Sequence, residues 1–252
     1  MTDLALRPRS STELVDATFQ VFRRTPVQFI VAGAFVYVPW LVIQLVFNLE
    51  ITGETLPGLD VLAINLIAGL AVYVILDGVI MLLARDVYFD RAPDVAAAFR
   101  TVASRALPLL GTSLVMLTTI MIGLIFFLLP ALYPLARFFA ARPAVLLENA
   151  GVGTALSRSS MLSQGLKRHI LNTLLLAGLL TFAVMFGTTL AAGLIPSRVV
   201  MRTILTIVTV CVKPFFSIAQ TLLYYDVRIR KEAFDVEYLA EAGSGLTPNV
   251  AI

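Results

Sequence analysis

Charge is scarce in this chain. Only 14% of its 252 residues are Asp, Glu, Lys or Arg, against roughly a quarter in a soluble domain. With so much apolar residue beside it, that scarcity excludes a disordered chain and argues against a soluble enzyme. Cys211 is the one cysteine, so an intramolecular disulfide is impossible and a cysteine-based metal site is not expected. It falls mid-span among apolar residues and reads as inert packing. His169 is the one histidine. It sits where a surface helix meets a span and reads as an interfacial cation or cap rather than a base. No Gly-rich loop precedes a Lys-Ser or Lys-Thr pair. The carboxylates Asp86, Asp90, Asp94 and Glu148 are too spread for a metal centre. No catalytic residue, metal or cofactor is predicted, and the chain reads as a non-enzyme.

What is abundant is apolar residue: 59% of the chain, with a mean hydropathy of +0.91. A helix needs about 20 such residues to cross the ~30 Å hydrocarbon core. Stretches of that kind run over Val27–Asn48, Val61–Ala84, Leu107–Leu129, Ile170–Ile195 and Val199–Leu223. A poorer one, broken by Pro130 and carrying two arginines, runs to Leu147. The predicted fold is all-α: a polytopic membrane bundle of six transmembrane helices in three hairpins. The first span is too long, and its flank too mixed in charge, for a cleavable signal, so it reads as an uncleaved anchor.

Net charge is +3, so the placement of the cations says more than their number. On a six-span layout sixteen of the nineteen Lys and Arg gather on one side, and the first opposite loop holds only the acids Glu50, Glu54 and Asp60. Lys and Arg mark the cytoplasmic face, which predicts both termini inside. The arginines follow this topology rule and do not form a nucleic-acid surface.

Three of the spans are preceded by a short helix with an apolar stripe, expected to lie on the cytoplasmic interface. Leu14, Val15, Phe19 and Phe22 form the first stripe, with a capping box from Ser10 to Glu13. Val95, Phe99, Val102 and Ala106 form the second, capped by Asp94. Val152, Leu156, Leu162 and Leu166 form a looser third, with Ser159 in the stripe. The first two copies align at an offset of 80, Val15 with Val95 and Phe19 with Phe99. This predicts one membrane domain over 1–238, with repeats at about 10–90, 91–150 and 151–238, and a disordered tail over 239–252. Anionic headgroups are the expected partners of Arg23, Arg24, Arg100, Arg105, Arg158, Lys167, Arg168, Arg228, Arg230 and Lys231. A membrane protein partner or a second copy is the other partner considered.

Four ionisable residues fall inside spans: Asp77, Arg137, Arg142 and Lys213. Charge at membrane depth is costly and pairs or faces water. Asp77 is expected to pair with Lys213 or Arg137, while Arg142 snorkels to the near face. The surplus positive charge admits an anion or lipid-phosphate site; the competing reading is a structural ion pair. Pro39, Pro130, Pro134, Pro143 and Pro214 each interrupt helical hydrogen bonding within a span.

Three segments carry a resemblance. They are Leu6-Arg7-Pro8-Arg9-Ser10-Ser11-Thr12-Glu13-Leu14 with Ala17-Thr18-Phe19; Ala155-Leu156, Arg158-Ser159, Leu162, Gly165 and Arg168; and Leu222-Leu223-Tyr224-Tyr225-Asp226-Val227-Arg228-Ile229-Arg230-Lys231-Glu232-Ala233-Phe234-Asp235. Together they resemble the membrane domain of the bacterial glycerophosphoryl diester phosphodiesterase family and its stand-alone relatives. The resemblance implies the bacterial cytoplasmic membrane. It brings no hydrolase activity, because this chain has no room for the phosphodiesterase barrel. The function expected is a non-enzymatic scaffold or accessory subunit, the alternative a transporter or channel for a small anionic solute.

Overall fold

The computed structural model describes residues 6–47, 58–126, 128–236 and 238. Among them are ten helices and no strand: α1 (Ser11–Arg24), α2 (Pro26–Val46), α3 (Leu59–Tyr88), α4 (Val95–Ser104), α5 (Ala106–Phe126), α6 (Leu128–Arg137), α7 (Ala141–Leu147), α8 (Val152–Leu162), α9 (Lys167–Ala192) and α10 (Arg198–Glu232). Five of these, α2, α3, α5, α9 and α10, are long and apolar enough to cross a membrane. The acids Glu50 and Glu54 and the predicted 239–252 tail lie outside the described residues.

The short helices begin where the caps say. Ser10 and Glu13 exchange side-chain and backbone bonds, and Asp94 accepts from the Ala97 N–H. α1 presents Leu14, Ala17, Thr18 and Val21 to the core. Phe19 and Phe22 pack on Phe215, with ring centroids 4.9 and 4.6 Å away. The third stripe agrees with expectation only at Ser159 and Leu162. α8 buries Ala155, Ser159 and Leu162, and Leu166 belongs to the cap of α9. Small residues face inward there because Ser159 serves as a polar contact: it accepts from the Ala140 N–H and donates to the Arg137 carbonyl.

The stretch expected as the fourth span is two helices, α6 and α7, parted at Phe138–Ala140. Pro134 removes a hydrogen-bond donor within α6, whereas Pro143 sits in the first turn of α7, where a missing N–H costs nothing. Gly123 permits the sharp return from α5, since a Cβ there would lie 2.7 Å from the Ala131 Cα. At the far end of this out-and-back path the Arg105 guanidinium donates to the Asn149 carbonyl at 3.3 Å. The start of α5 and the end of α7 therefore meet.

The bundle has two layers of different physics. In one layer, Leu76–Ala84 of α3 and Ser217–Ile229 of α10 are buried on every side, wrapped by α1, α4, α7 and α8. Such burial from water stabilises by about 1.5–3 kcal/mol per large side chain. In the other layer the most apolar stretch of α9 is only 11% buried, and Leu66, Leu179, Leu190 and Ile207 are exposed. Apolar chains stay outward where the surroundings are as apolar as they are. Both described ends lie in the dense layer: Arg9 N–H donates to Asp226 Oδ1 at 2.6 Å, and Arg230 donates to the Arg9 carbonyl at 2.6 Å.

Candidate functional site: a buried charge cluster under an apolar cavity

The charges meet where the two layers join. A Cβ at Gly78, beside Asp77, would lie 3.2 Å from the Leu109 side chain of α5, and Leu109 is only the fourth residue of its helix. Asp77 is thus about one turn from the start of a spanning helix, not at mid-depth.

Asp77 is 1% exposed and Arg142 7%. Arg142 Nη1 lies 2.8 Å from Asp77 Oδ2, a contact close in distance but not aligned as a hydrogen bond. Lys213 Nζ stands 3.8 Å from Asp77 Oδ1 and 3.5 Å from the centre of the Tyr73 ring, whose negative face attracts a cation. Ser217 donates to Asp77 Oδ1. Gln220 accepts from Arg142 Nη2 at 3.1 Å and donates to the Phe139 carbonyl at 2.6 Å, which ties α10 to the break between α6 and α7. One carboxylate thus faces two cations, leaving one positive charge over.

Two expectations are corrected here. Arg142 does not snorkel: α7 is buried along its whole length, so its guanidinium has only Asp77, Gln220 and Tyr73 to turn to. Arg137 is not a partner of Asp77. It ends α6 and donates to Ser160 Oγ at 3.1 Å. The Lys213 alternative agrees with the geometry, as the longer of the two contacts.

Above the cluster opens a cavity of about 480 Å³ between α3, α5, α6, α9 and α10. Leu66, Leu70, Val74, Met116 and Ile120 line its length, and Arg142, Gln220 and Ser113 its closed end. Along α3 it extends from Asn65 to Val74, about 14 Å at 1.5 Å per residue.

The arginines expected at the interface divide into two groups. Arg158 holds Glu148 at 2.9 Å and also bridges to Glu232. These carboxylates outweigh its burial and raise its already high pKa. Arg228 is 2% exposed, pairs with Glu232 at 3.0 Å and stacks over Phe234. It is a core residue and not a headgroup-facing one, because Phe234 folds back over it. Arg230 is held by Asp226 at 2.7 Å, Arg24 by Asp90 at 2.8 Å, and Lys167 lies over the Tyr133 ring. Arg105 is the hairpin contact described above. Arg23, Arg100, Arg168 and Lys231 are exposed and carry no ion pair among the described residues.

His169 is set between Asp226, 2.9 Å from Nε2, and Ser11, 3.5 Å from Nδ1. The order is that of a nucleophile, base and acid. Asp226 is also held by Arg230 and the Arg9 N–H, and Ser11 Oγ accepts from Thr173. Among the described residues no three His, Cys, Asp or Glu side chains come together as metal ligands do.

Ser217, Gln220, Tyr73 and Ser113 were not singled out from the sequence. A signal for two of them exists. Leu82-Leu83-x-x-Asp86-Val87 recurs 140 positions on as Leu222-Leu223-x-x-Asp226-Val227. The same offset carries Asp77 to Ser217 and Tyr73 to Lys213, and both of these pairs are in contact.

No family model, curated protein or solved structure matches this chain.

Proposed function

We propose that the protein is a non-enzymatic, six-crossing component of the bacterial cytoplasmic membrane. It acts as a scaffold or accessory subunit that holds anionic lipid headgroups at its cytoplasmic face. The sixth crossing is the α6–α7 return, which the Arg105–Asn149 contact supports. Both described ends lie on one face, and the gathering of cations there makes that face cytoplasmic. The resemblance to the phosphodiesterase membrane-domain family supports the bacterial setting. Arg23, Arg100, Arg168 and Lys231, exposed on this face, are the cations that meet headgroups, each contributing about 1 kcal/mol.

One observation carries the choice of scaffold over anion transporter. The cavity ends at Arg142 and Gln220, and beneath them Leu82, Leu83, Leu146 and Leu223 are packed at 0–3% exposure. A transport path would have to run through that layer. The Ser11–His169–Asp226 chain reads as a strap that fixes α1 on α9 and α10.

Native mass spectrometry from mild detergent tests this reading. Anionic phospholipid is expected to remain bound, and to be lost when Arg23, Arg100 and Arg168 are together exchanged for Glu. Retention of no lipid by the unaltered protein overturns headgroup binding. Labelling of the C-terminus from outside intact cells overturns the even number of crossings.

A further inference from the structure

Arg137 and Lys167 come together from different elements with no carboxylate to answer them. Arg137 is the last residue of α6 and Lys167 the first of α9, and these helices pack on one another. Tyr133 joins the two cations. Lys167 Nζ lies 4.3 Å from the centre of its ring. Arg137 stands one turn further along the same face of α6, and the charges of both act on the Tyr133 hydroxyl. Elsewhere the bundle gives its arginines acids: Arg158 has Glu148 and Glu232, Arg230 has Asp226, and Arg24 has Asp90. Neither Arg137 nor Lys167 has an ion pair among the described residues. Two like charges held side by side repel, so this spot attracts an anion.

The pair is accessible and partly fixed in place. Arg137 Nε donates to Ser160 Oγ at 3.1 Å, which orients the guanidinium and leaves its two Nη groups without a partner among the described residues. Those Nη groups and Lys167 Nζ reach the surface. Arg137 and Lys167 are half-buried, and Tyr133 is 51% exposed. The start of α9 adds to the field. Its cap, Leu166, offers no side-chain acceptor to the first N–H groups, so the positive end of the helix lies at Lys167. A planar guanidinium fork beside a compact ammonium suits the oxygens of a phosphate.

Position selects the kind of phosphate. Lys167 opens a spanning helix, two residues before His169, which Asp226 ties to the face where both described ends lie. On the membrane-embedded reading this is the level of the headgroups. Two and three turns further along α9 stand Leu175, 46% exposed, and Leu179, 63% exposed. The surface running on from the cations is therefore apolar and turned to hydrocarbon. A phosphate carrying acyl chains satisfies both halves of this surface, whereas a free phosphate satisfies one.

We infer that Arg137 and Lys167, with Tyr133 at the rim, form a discrete site for one phospholipid. The Arg137 Nη groups and Lys167 Nζ hold its phosphate, and its acyl chains descend along Leu175 and Leu179. The inference rests on the headgroup reading and deepens it. Arg23, Arg100 and Lys231 attract anionic lipid in general, while this pair holds a single molecule.

The test uses the full-length protein, delipidated in a neutral detergent, with bound lipid counted by native mass spectrometry. The probe is dioleoylphosphatidylglycerol; dioleoylglycerol and inorganic phosphate are the comparisons. One molecule of the probe should bind more tightly than any that follow. Dioleoylglycerol should not compete for that place, and inorganic phosphate should not displace the lipid. Lys167→Gln and Arg137→Gln should each weaken the first binding step about tenfold, the value of one hydrogen bond to a charged group. Delipidated Lys167→Gln should melt as the wild type does, which separates lost binding from lost folding. The Arg23→Glu, Arg100→Glu double variant should keep the first lipid. Arg168→Glu sets an acid beside Lys167, so the triple exchange loses this lipid as well. Lipid binding that neither Lys167→Gln nor Arg137→Gln weakens overturns this site and leaves the headgroup reading standing. Equal binding of dioleoylglycerol, or displacement by inorganic phosphate, overturns the phospholipid as occupant. No binding of the probe by the wild type overturns both readings.

Discussion

Asp77 and Ser217 are 140 positions apart in the chain and share a hydrogen bond, each standing five residues before the same Leu-Leu-x-x-Asp-Val motif. α3 and α10 lie side by side in the same direction, so matching positions fall at matching depth. Lys213 over the ring of Tyr73 repeats the relation one turn earlier. The cluster is the place where two related helices, joined by α7, face one another.

Removal of the carboxylate should therefore cost more than removal of its neutral partner. Asp77→Asn leaves Arg142 and Lys213 buried side by side, and a broken buried pair costs about 3–5 kcal/mol. Ser217→Ala removes one neutral donor to the same carboxylate, worth about 1.5–3 kcal/mol. Thermal melting in detergent measures both. An unchanged melting temperature in Asp77→Asn would refute the structural role of the pair.

Arg158 ties three elements together, through Glu148 at the end of α7 and Glu232 at the end of α10. Arg158→Gln should lower stability by about 1.5–3 kcal/mol, the range for hydrogen bonds to a charged group. The loss should show first as faster hydrogen exchange at the end of α10. Uniform exchange across the chain would count against this local role.

The α5–α6 return admits no side chain at Gly123. A Cβ there meets the Ala131 backbone at 2.7 Å, and backbone cannot swing aside as a side-chain tip can. Gly123→Leu should destabilise by about 1–3 kcal/mol through overpacking. Gly153→Leu, where a Cβ meets nothing within 4 Å, should have little effect. Equal melting temperatures for the two variants would contradict the close crossing.

Glu13 closes the capping box of α1. Its bonds to the Ser10 N–H and to Arg7 depress its pKa from the ordinary 4.5 to about 2. A carboxylate lowered on folding contributes stability above its ordinary pKa and loses it as pH falls through the lowered one. Wild type should melt above Glu13→Gln at neutral pH, and the gap should close between pH 4.5 and 2. A gap that persists at pH 2 would show that the charge is not its source.

Much of the helical plan was legible. The 20-residue apolar runs gave the five long helices because crossing length is a local property of the chain. The caps at Ser10 and Asp94 could be read because capping involves residues three apart. The stretch that reads as one poor span is two helices, because a break at Phe138–Ala140 depends on what receives the backbone there, here Ser159 of α8, which takes the Ala140 N–H and the Arg137 carbonyl. The site was half legible. Asp77 and Lys213 stood out as charges among apolar residues, whereas Ser113 and Gln220 are ordinary residues on ordinary helices, given meaning only by neighbours distant in the chain.

The sequence alone determined that this chain forms apolar helices of crossing length with cationic ends, since hydropathy and charge are sums over neighbouring residues. The tertiary structure decided which charges meet. Only packing could move Arg142 from an assumed surface to the side of Asp77 and bury Arg228 beneath Phe234. A buried charge must be answered by groups within a few ångströms, and only the tertiary arrangement determines which groups those are.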